Sequence, residues 1–230
     1  SFSPVVWTSI ATGKRAEKHG IQGFYDTQNA NLRAARFWEV SAARGLPVGI
    51  FQWLVTWPPD SLPGFVVPAW LARDSRTVPE RLRFLKELEL ARQENRPLGP
   101  LAMAHIGIHS LREGLRFGTI VEIVEQAWRG WRSGGELALY RAGKMIQLAL
   151  NEDVFVENYR RLRPPVGTAT FYGSDALSHL FWKYHEPEAF DDVASVDVVR
   201  FGDTIRDFYR RFDRTVERLL GAIDERTILL

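Results

Sequence analysis

The chain has 230 residues, of which 45% are hydrophobic and 25% are charged, a balance typical of a globular protein with its own core. The formal net charge is +2, and the arginines stand among acidic and apolar residues instead of forming one basic run. We therefore expect a small-molecule substrate or a protein partner, and not a nucleic acid. The sequence contains no cysteine, which excludes disulfide bonds, thiolate metal ligands and a cysteine nucleophile.

The sequence gives two indications about location. Stretches of about 18 consecutive apolar residues, which a transmembrane helix needs, do not occur in it. Its beginning, SFSPVVWTSIATGKRAEKHG, lacks the basic-then-apolar order of a signal peptide. We expect a soluble protein of the cytoplasm, or a bacterial protein exported after removal of a signal that this sequence does not contain.

The first half of the chain alternates helical patterns with irregular segments. A helix is predicted for about residues 29–43, and the bulky apolar residues of 48–55 indicate a strand. Prolines make residues 56–76 an irregular connection. Thr77 and Glu80 then form a capping-box pattern that predicts a new helix, and residues 99–117 indicate another.

The second half is predicted to be almost entirely helical. Thr119 and Glu122 repeat the capping pattern, and the almost wholly apolar segment GELALYRAGKMIQLALNED is typical of a helix inside a bundle. Further helices are expected at about 174–184 and after Asp203, with a strand at 193–201.

Together these patterns predict a mainly α fold. We expect a single-domain bundle of about seven or eight helices with long irregular connections, covering residues 1–230. Pro164-Pro165 and Gly167 indicate a minor break near residues 164–173.

Two pairs of residues could supply metal ligands. His105 and His109 are four residues apart, as are Asp175 and His179, so the side chains of each pair share one helix face. Two histidines from one helix and a histidine and a carboxylate from another suit zinc or non-haem iron. The sequence therefore predicts a metal-dependent enzyme of the hydrolase or oxygenase type, in which the metal activates water or dioxygen.

The second pair also suggests a catalytic pocket. His179 would act as a general base that Asp175 orients, and Tyr172 and Trp182 would line the cofactor or substrate pocket beside them. A structural interpretation stays open, because an acid in the first turn of a helix and His185 in its last turn both interact favourably with the helix dipole.

Two alternatives use other parts of the chain. The first is a non-catalytic interaction module in which the tryptophan- and proline-rich connection 56–76 contacts a protein partner through Trp57 and Trp70. The second rests on Glu39, which is followed by the Gly-x-x-Gln stretch Gly49–Gln52. This arrangement resembles that of lysozyme-like cell-wall hydrolases, and the resemblance implies that Glu39 is a general acid with a raised pKa.

Overall fold

The computed structural model describes residues 2–25 and 27–230, with only the backbone for Asn29. Helices predominate in these residues, and the prediction of a mainly α protein is confirmed. The strands are β1 Val48–Phe51, β2 Gly64–Val67 and β3 Val166–Ala169. The α-helices are α1 Ser3–Thr12, α2 Ala16–His19, α3 Phe37–Ala42, α4 Arg83–Gln93, α5 Pro100–Arg112, α6 Phe117–Ser133, α7 Glu136–Leu162, α8 Gly173–His185, α9 Ser195–Phe201 and α10 Thr204–Leu220. Short 3-10 helices cover Asn29–Asn31, Glu80–Leu82 and Pro187–Ala189.

The chain divides into two compact units. Unit 1 consists of Ser1–Gly114 and Glu157–Thr170, and unit 2 consists of Leu115–Val156 and Phe171–Leu230. That residues 1–230 form a single domain stays a prediction. Among the described residues, no helix has both the length and the apolar character that crossing a membrane requires.

Unit 1 is built on a parallel sheet. In the described residues its strands have the order β2-β1-β3, with Val48 opposite Gly64 on one side and Val166 on the other. All four residues of the central strand β1 are buried, as expected for a parallel strand covered on both faces. Ala11 of α1 and Trp38 of α3 pack in the same core cluster as β1.

The core of unit 2 is made by helices alone. Leu177 and Phe181 of α8 and Phe208 of α10 are almost completely buried in one apolar cluster, to which Met145 and Leu148 of α7 also belong. Asp203 holds the N-cap position of α10, as predicted, although its side chain makes no capping hydrogen bond.

Several predicted boundaries are wrong for identifiable reasons. Residues 193–201 contain the helix α9 instead of a strand, because Val196 and Val199 are exposed while Phe201 is buried, a helical arrangement. The capping box predicted for Thr77 and Glu80 does not form, because the Thr77 hydroxyl donates to the Pro79 carbonyl instead. The helix predicted from Thr119 begins earlier, since α6 has its N-cap at Arg116.

Candidate functional site

The histidine pair of α5 lies in unit 1. The ring centroids of His105 and His109 are 4.3 Å apart, and the His105 side chain is 54% exposed. The His109 ring stacks on Phe84 with a centroid distance of 6.1 Å. His105 Nε2 is 3.9 Å from a Glu87 carboxylate oxygen, so this pair lies beside an acid that the sequence had not indicated.

The second pair lies on α8 in unit 2. His179 Nε2 is 3.4 Å from Asp175 Oδ1, and both side chains are more than 70% exposed. Tyr172 stands at the N-cap position of α8, and Trp182 packs against His185 with ring centroids 5.8 Å apart. Among the described residues, no group of three or more histidine, aspartate or glutamate side chains is arranged to hold a metal ion. The assignment of His105, His109, Asp175 and His179 as ligands, and of Tyr172 and Trp182 as pocket residues, stays a prediction.

Glu39 has the wrong electrostatic environment for a general acid. It lies in the first turn of α3, where it accepts hydrogen bonds of 2.6 Å from both the backbone and the guanidinium of Arg36. Burial alone would raise the pKa of Glu39, but the hydrogen bonds and the charge of Arg36 outweigh it and lower the pKa. A carboxyl group held ionised in this way cannot donate a proton near neutral pH, so the acid role implied by the resemblance is not supported.

The carboxyl edge of the sheet, formed by the residues that follow β1, β2 and β3, is the place where parallel sheets bind ligands. Trp53 lies two residues after β1, and Trp70 lies three residues after β2. Trp7 of α1 contacts Trp53 with ring centroids 4.8 Å apart. Phe24 lies 5.8 Å from Phe2 and 6.3 Å from Trp70, centroid to centroid. These contacts place the N-terminal half of α1 at the carboxyl edge.

The backbone that leaves β1 has an unusual conformation. Gln52 and Val55 have φ angles of 57° and 58°, in the left-handed region that a β-branched residue such as valine strongly disfavours. The Gln52 amide donates to the Val67 carbonyl at 2.7 Å, and Arg36 Nη1 donates to the Val55 carbonyl at 2.7 Å. Such conformations are found at functional sites, where the surrounding structure holds them in place.

The buried side chain of Arg36 fixes this loop. Besides Val55, its guanidinium contacts the carboxylates of Glu39 and Asp60, and it lies 5.1 Å from the centroid of the Trp38 ring. The arginine is 2% exposed, whereas Glu39 and Asp60 are partly exposed. One buried cation thus joins the start of α3 to the loop after β1.

The first turn of α1 offers groups suited to an anion. Its N-cap residue is Phe2, which has no side-chain hydrogen bond to the helix, so the positive end of the helix dipole is not neutralised there. Ser3 is the first helical residue and is exposed. The hydroxyls further along α1 already have partners within the protein. The Thr8 hydroxyl donates to the Pro4 carbonyl, and the Ser9 hydroxyl is hydrogen-bonded to His19.

His19 is fixed as a neutral, buried ring. The Ile21 amide donates to its Nδ1 at 3.1 Å, so the hydrogen is on Nε2, which lies 3.1 Å from the Ser9 hydroxyl. Burial lowers the pKa of His19, although the charge of Glu17 opposes this. His19 therefore connects α1 and α2 as a structural group.

The connection 56–76 contains a charged aromatic cluster, which we call the Trp57 cluster: Trp57, Arg73, Asp74 and Arg76. Both guanidiniums lie within 6 Å of the Trp57 ring centroid. The Trp57 indole donates to Asp74 at 2.9 Å, and Arg76 Nε donates to the same carboxylate at 2.8 Å. Burial would raise the pKa of Asp74, but the hydrogen bonds from Arg76 and Trp57 lower it to about 2.

Sequence reasoning missed the carboxyl edge and the helix that reaches it. Proline at the start of α1 was a usable signal, because proline is favoured in the first turn of a helix. Trp70 was considered as an aromatic residue of the connection 56–76, but the positions of Trp53 and Trp70 after two parallel strands depend on long-range pairing that short patterns do not contain.

A family model described as "Type I phosphodiesterase / nucleotide pyrophosphatase" matches residues 1–230. No curated protein and no solved structure matches the chain. The match contradicts the predicted zinc or iron hydrolase or oxygenase with His/Asp ligands from two helices, and it equally contradicts the lysozyme-like hydrolase. It also leaves no basis for a non-catalytic interaction module, because the family is described by a catalytic activity.

Proposed function

Because the chain belongs to the type I phosphodiesterase / nucleotide pyrophosphatase family, we propose that it hydrolyses a phosphodiester or pyrophosphate bond in a small nucleotide-like substrate. The observation that carries this proposal is the match of the family model to all of residues 1–230. In the overall reaction, water adds to phosphorus and one P–O bond breaks. The products are two phosphates from a pyrophosphate, or a phosphomonoester and an alcohol from a diester.

The first turn of α1 is the proposed site of the reacting phosphoryl group. The dipole of α1 attracts an anion to this end of the helix. Pro4 has no amide hydrogen, and the Val5 and Val6 amides donate to the Phe2 carbonyl at 3.0 and 3.2 Å. The helix dipole and the groups of Ser3 would therefore hold the anion. The exposed Ser3 hydroxyl stands at this end and is our candidate nucleophile. Its Oγ would bond to phosphorus as the bond to the leaving oxygen breaks, and the hydroxyl proton would pass to that oxygen. Water would then add to phosphorus, break the bond between Ser3 Oγ and phosphorus, and return a proton to the hydroxyl.

The aromatic residues of the carboxyl edge support a nucleotide-like substrate. Phe24 and Trp70 are 42% and 39% exposed, so each presents part of its ring to solvent. Stacking of a base on an aromatic side chain contributes about 1–3 kcal/mol and does not depend on the identity of the base. A nucleoside next to the phosphoryl group is therefore the substrate class that this edge suits.

The roles proposed here belong to side chains and backbone of unit 1. They require that the substrate carry a phosphoryl group and an aromatic base.

The test uses the full chain with bis(p-nitrophenyl) phosphate and a dinucleoside polyphosphate as substrates. We expect hydrolysis by the wild type, and a Ser3→Ala variant should lose at least about 1,000-fold in kcat if the hydroxyl is the nucleophile. Ser195→Ala is the matched control, because Ser195 is also an exposed first residue of a helix whose N-cap residue makes no side-chain hydrogen bond.

The two parts of the proposal fail differently. If the wild type cleaves neither substrate above the rate of a heat-denatured sample, the proposed activity is wrong. If the wild type is active and Ser3→Ala matches Ser195→Ala, the activity stands and the nucleophile is a different group.

A further inference from the structure

Unit 2 contains a small cavity lined by arginines, which we call the arginine cavity. It lies where the end of α6, the start of α7 and the end of α9 meet, and its volume is about 80 Å³. This exceeds the roughly 15 Å³ that one water requires, so a small polyatomic group fits. Its polar lining comes from Gln126, Arg129, Ser133, Arg141 and Arg200.

Two of the three arginines already have partners. Arg129 forms an ion pair with Glu125 at 2.5 Å. Arg200 lies 3.7 Å from Asp197 and donates to the Ser133 and Gly134 carbonyls at 2.7 and 3.0 Å. Both guanidiniums are thereby held in place at the wall of the cavity.

Arg141 is different. It is partly buried, and within the part of the chain that the structure describes no carboxylate lies at ion-pair distance from it. Burial lowers the pKa of Arg141, the more distant charge of Asp207 opposes this, and the charge of Arg129 adds to the lowering. Asp207 itself is 3.6 Å from Arg210. A partly buried cation without a counter-ion is unfavourable, and an anion entering the cavity would relieve it.

We propose that the arginine cavity binds the phosphate group of a phosphomonoester or of inorganic phosphate. Among the residues that line it, none is acidic. A phosphate offers three or four oxygens and a charge near −2, and guanidinium groups bind such oxygens in pairs. The proposal does not rest on the proposed hydrolysis, because its residues belong to unit 2 and binding requires no reaction.

The experiment is a calorimetric titration of the full chain at constant ionic strength, first with inorganic phosphate and then with a nucleoside 5′-monophosphate. We expect saturable binding of both, weakened at least about tenfold in Arg141→Gln, because the variant loses a charge-assisted hydrogen bond to the phosphate. Arg129→Gln, at an exposed position, should also weaken it and guards against a folding defect at Arg141. Arg132→Gln is the matched control, because Arg132 is exposed on the same helix and does not line the cavity.

The cavity variants separate the two possible sites, because phosphate bound at the carboxyl edge would be unaffected by Arg141→Gln and by Arg129→Gln. The proposal is overturned if Arg141→Gln and Arg129→Gln bind phosphate with the affinity of the wild type. It is also overturned if chloride, at the same ionic strength, occupies the cavity as tightly as phosphate does. Binding of the nucleotide without binding of phosphate would show that the nucleoside carries the recognition, and would overturn it too.

Discussion

At the scale of single residues, the buried guanidinium of Arg36 is expected to stabilise the loop at the carboxyl edge. Removing one partner from a buried charge cluster usually lowers the free energy of unfolding by about 3–5 kcal/mol. Because Glu39 and Asp60 retain some contact with water, we expect Arg36→Met to lower the free energy of unfolding by about 3 kcal/mol, the lower end of that range. Urea denaturation followed by tryptophan fluorescence measures this change.

Arg44→Met is the matched control, since Arg44 is exposed just beyond the end of α3 and its guanidinium donates to the Val40 carbonyl at 3.2 Å. Surface changes of this kind are within about 0.5 kcal/mol of the wild type. An equally small effect of Arg36→Met would mean that the guanidinium does not stabilise the loop after β1.

Residue types were readable from the sequence, but their partners were not. Glu39 attracted interest as an isolated acid near a Gly-x-x-Gln stretch, yet its pKa is set by Arg36, three residues away. His105 and His109 do share a helix face as their spacing predicts, with rings 4.3 Å apart. Which groups approach that face depends on packing with α4, and the sequence pattern contains no such information.

At the scale of secondary structure, α10 and α6 show two outcomes of the same amphipathic pattern. Phe208 of α10 is 1% exposed and packs within the core of unit 2, whereas Trp131 of α6 is 68% exposed. We expect Phe208→Ala to lower the free energy of unfolding by about 3–5 kcal/mol, because it opens a cavity in the core. Trp131→Gln should change it by no more than about 0.5 kcal/mol.

Both variants are compared by chemical denaturation under the same conditions, with circular dichroism as the signal because one of them removes a fluorophore. Comparable losses in the two variants would show that the exposed face of α6 is covered in the folded protein. A spacing of three and four residues reveals an apolar face, but it does not show whether another element covers that face.

The same limit explains the secondary structure that the sequence mispredicted. Helices α8 and α10 were predictable because their apolar faces are local patterns that burial then confirmed. The strand predicted at 193–201 was wrong because its four valines favour a strand by propensity, while the packing of Phe201 against α8 selected a helix. Strands β2 and β3 could not be predicted, since each is four residues long and is stabilised by pairing with β1.

At the scale of the whole molecule, buried ionisable groups are expected to make stability depend on pH. In unit 2, burial alone would raise the pKa values of Glu152 and Asp153. Hydrogen bonds from Thr215 and Arg218 to Glu152, and from Arg116 to Asp153, outweigh it and lower both pKa values. The unfolded chain then binds these protons more tightly. Their stabilisation is present above the ordinary values of 4.5 and 3.8 and is lost as the pH falls below them.

His19 should produce an earlier loss of stability. Its folded pKa is below the ordinary value of 6.5, so its contribution is complete above pH 6.5 and declines as the pH falls towards the folded pKa. Protonation would place a hydrogen on Nδ1, the atom that accepts the hydrogen bond from the Ile21 amide, and it would create a charge on a side chain that is 0% exposed.

We therefore expect the Tm of the wild type to fall between pH 7.5 and pH 5, and to fall less in His19→Gln. His179→Gln is the control because its ring is 78% exposed, and it should retain the wild-type profile. An unchanged pH dependence in His19→Gln would assign the loss in this range to other groups, while the decline below pH 4.5 caused by Glu152 and Asp153 should persist in all three proteins.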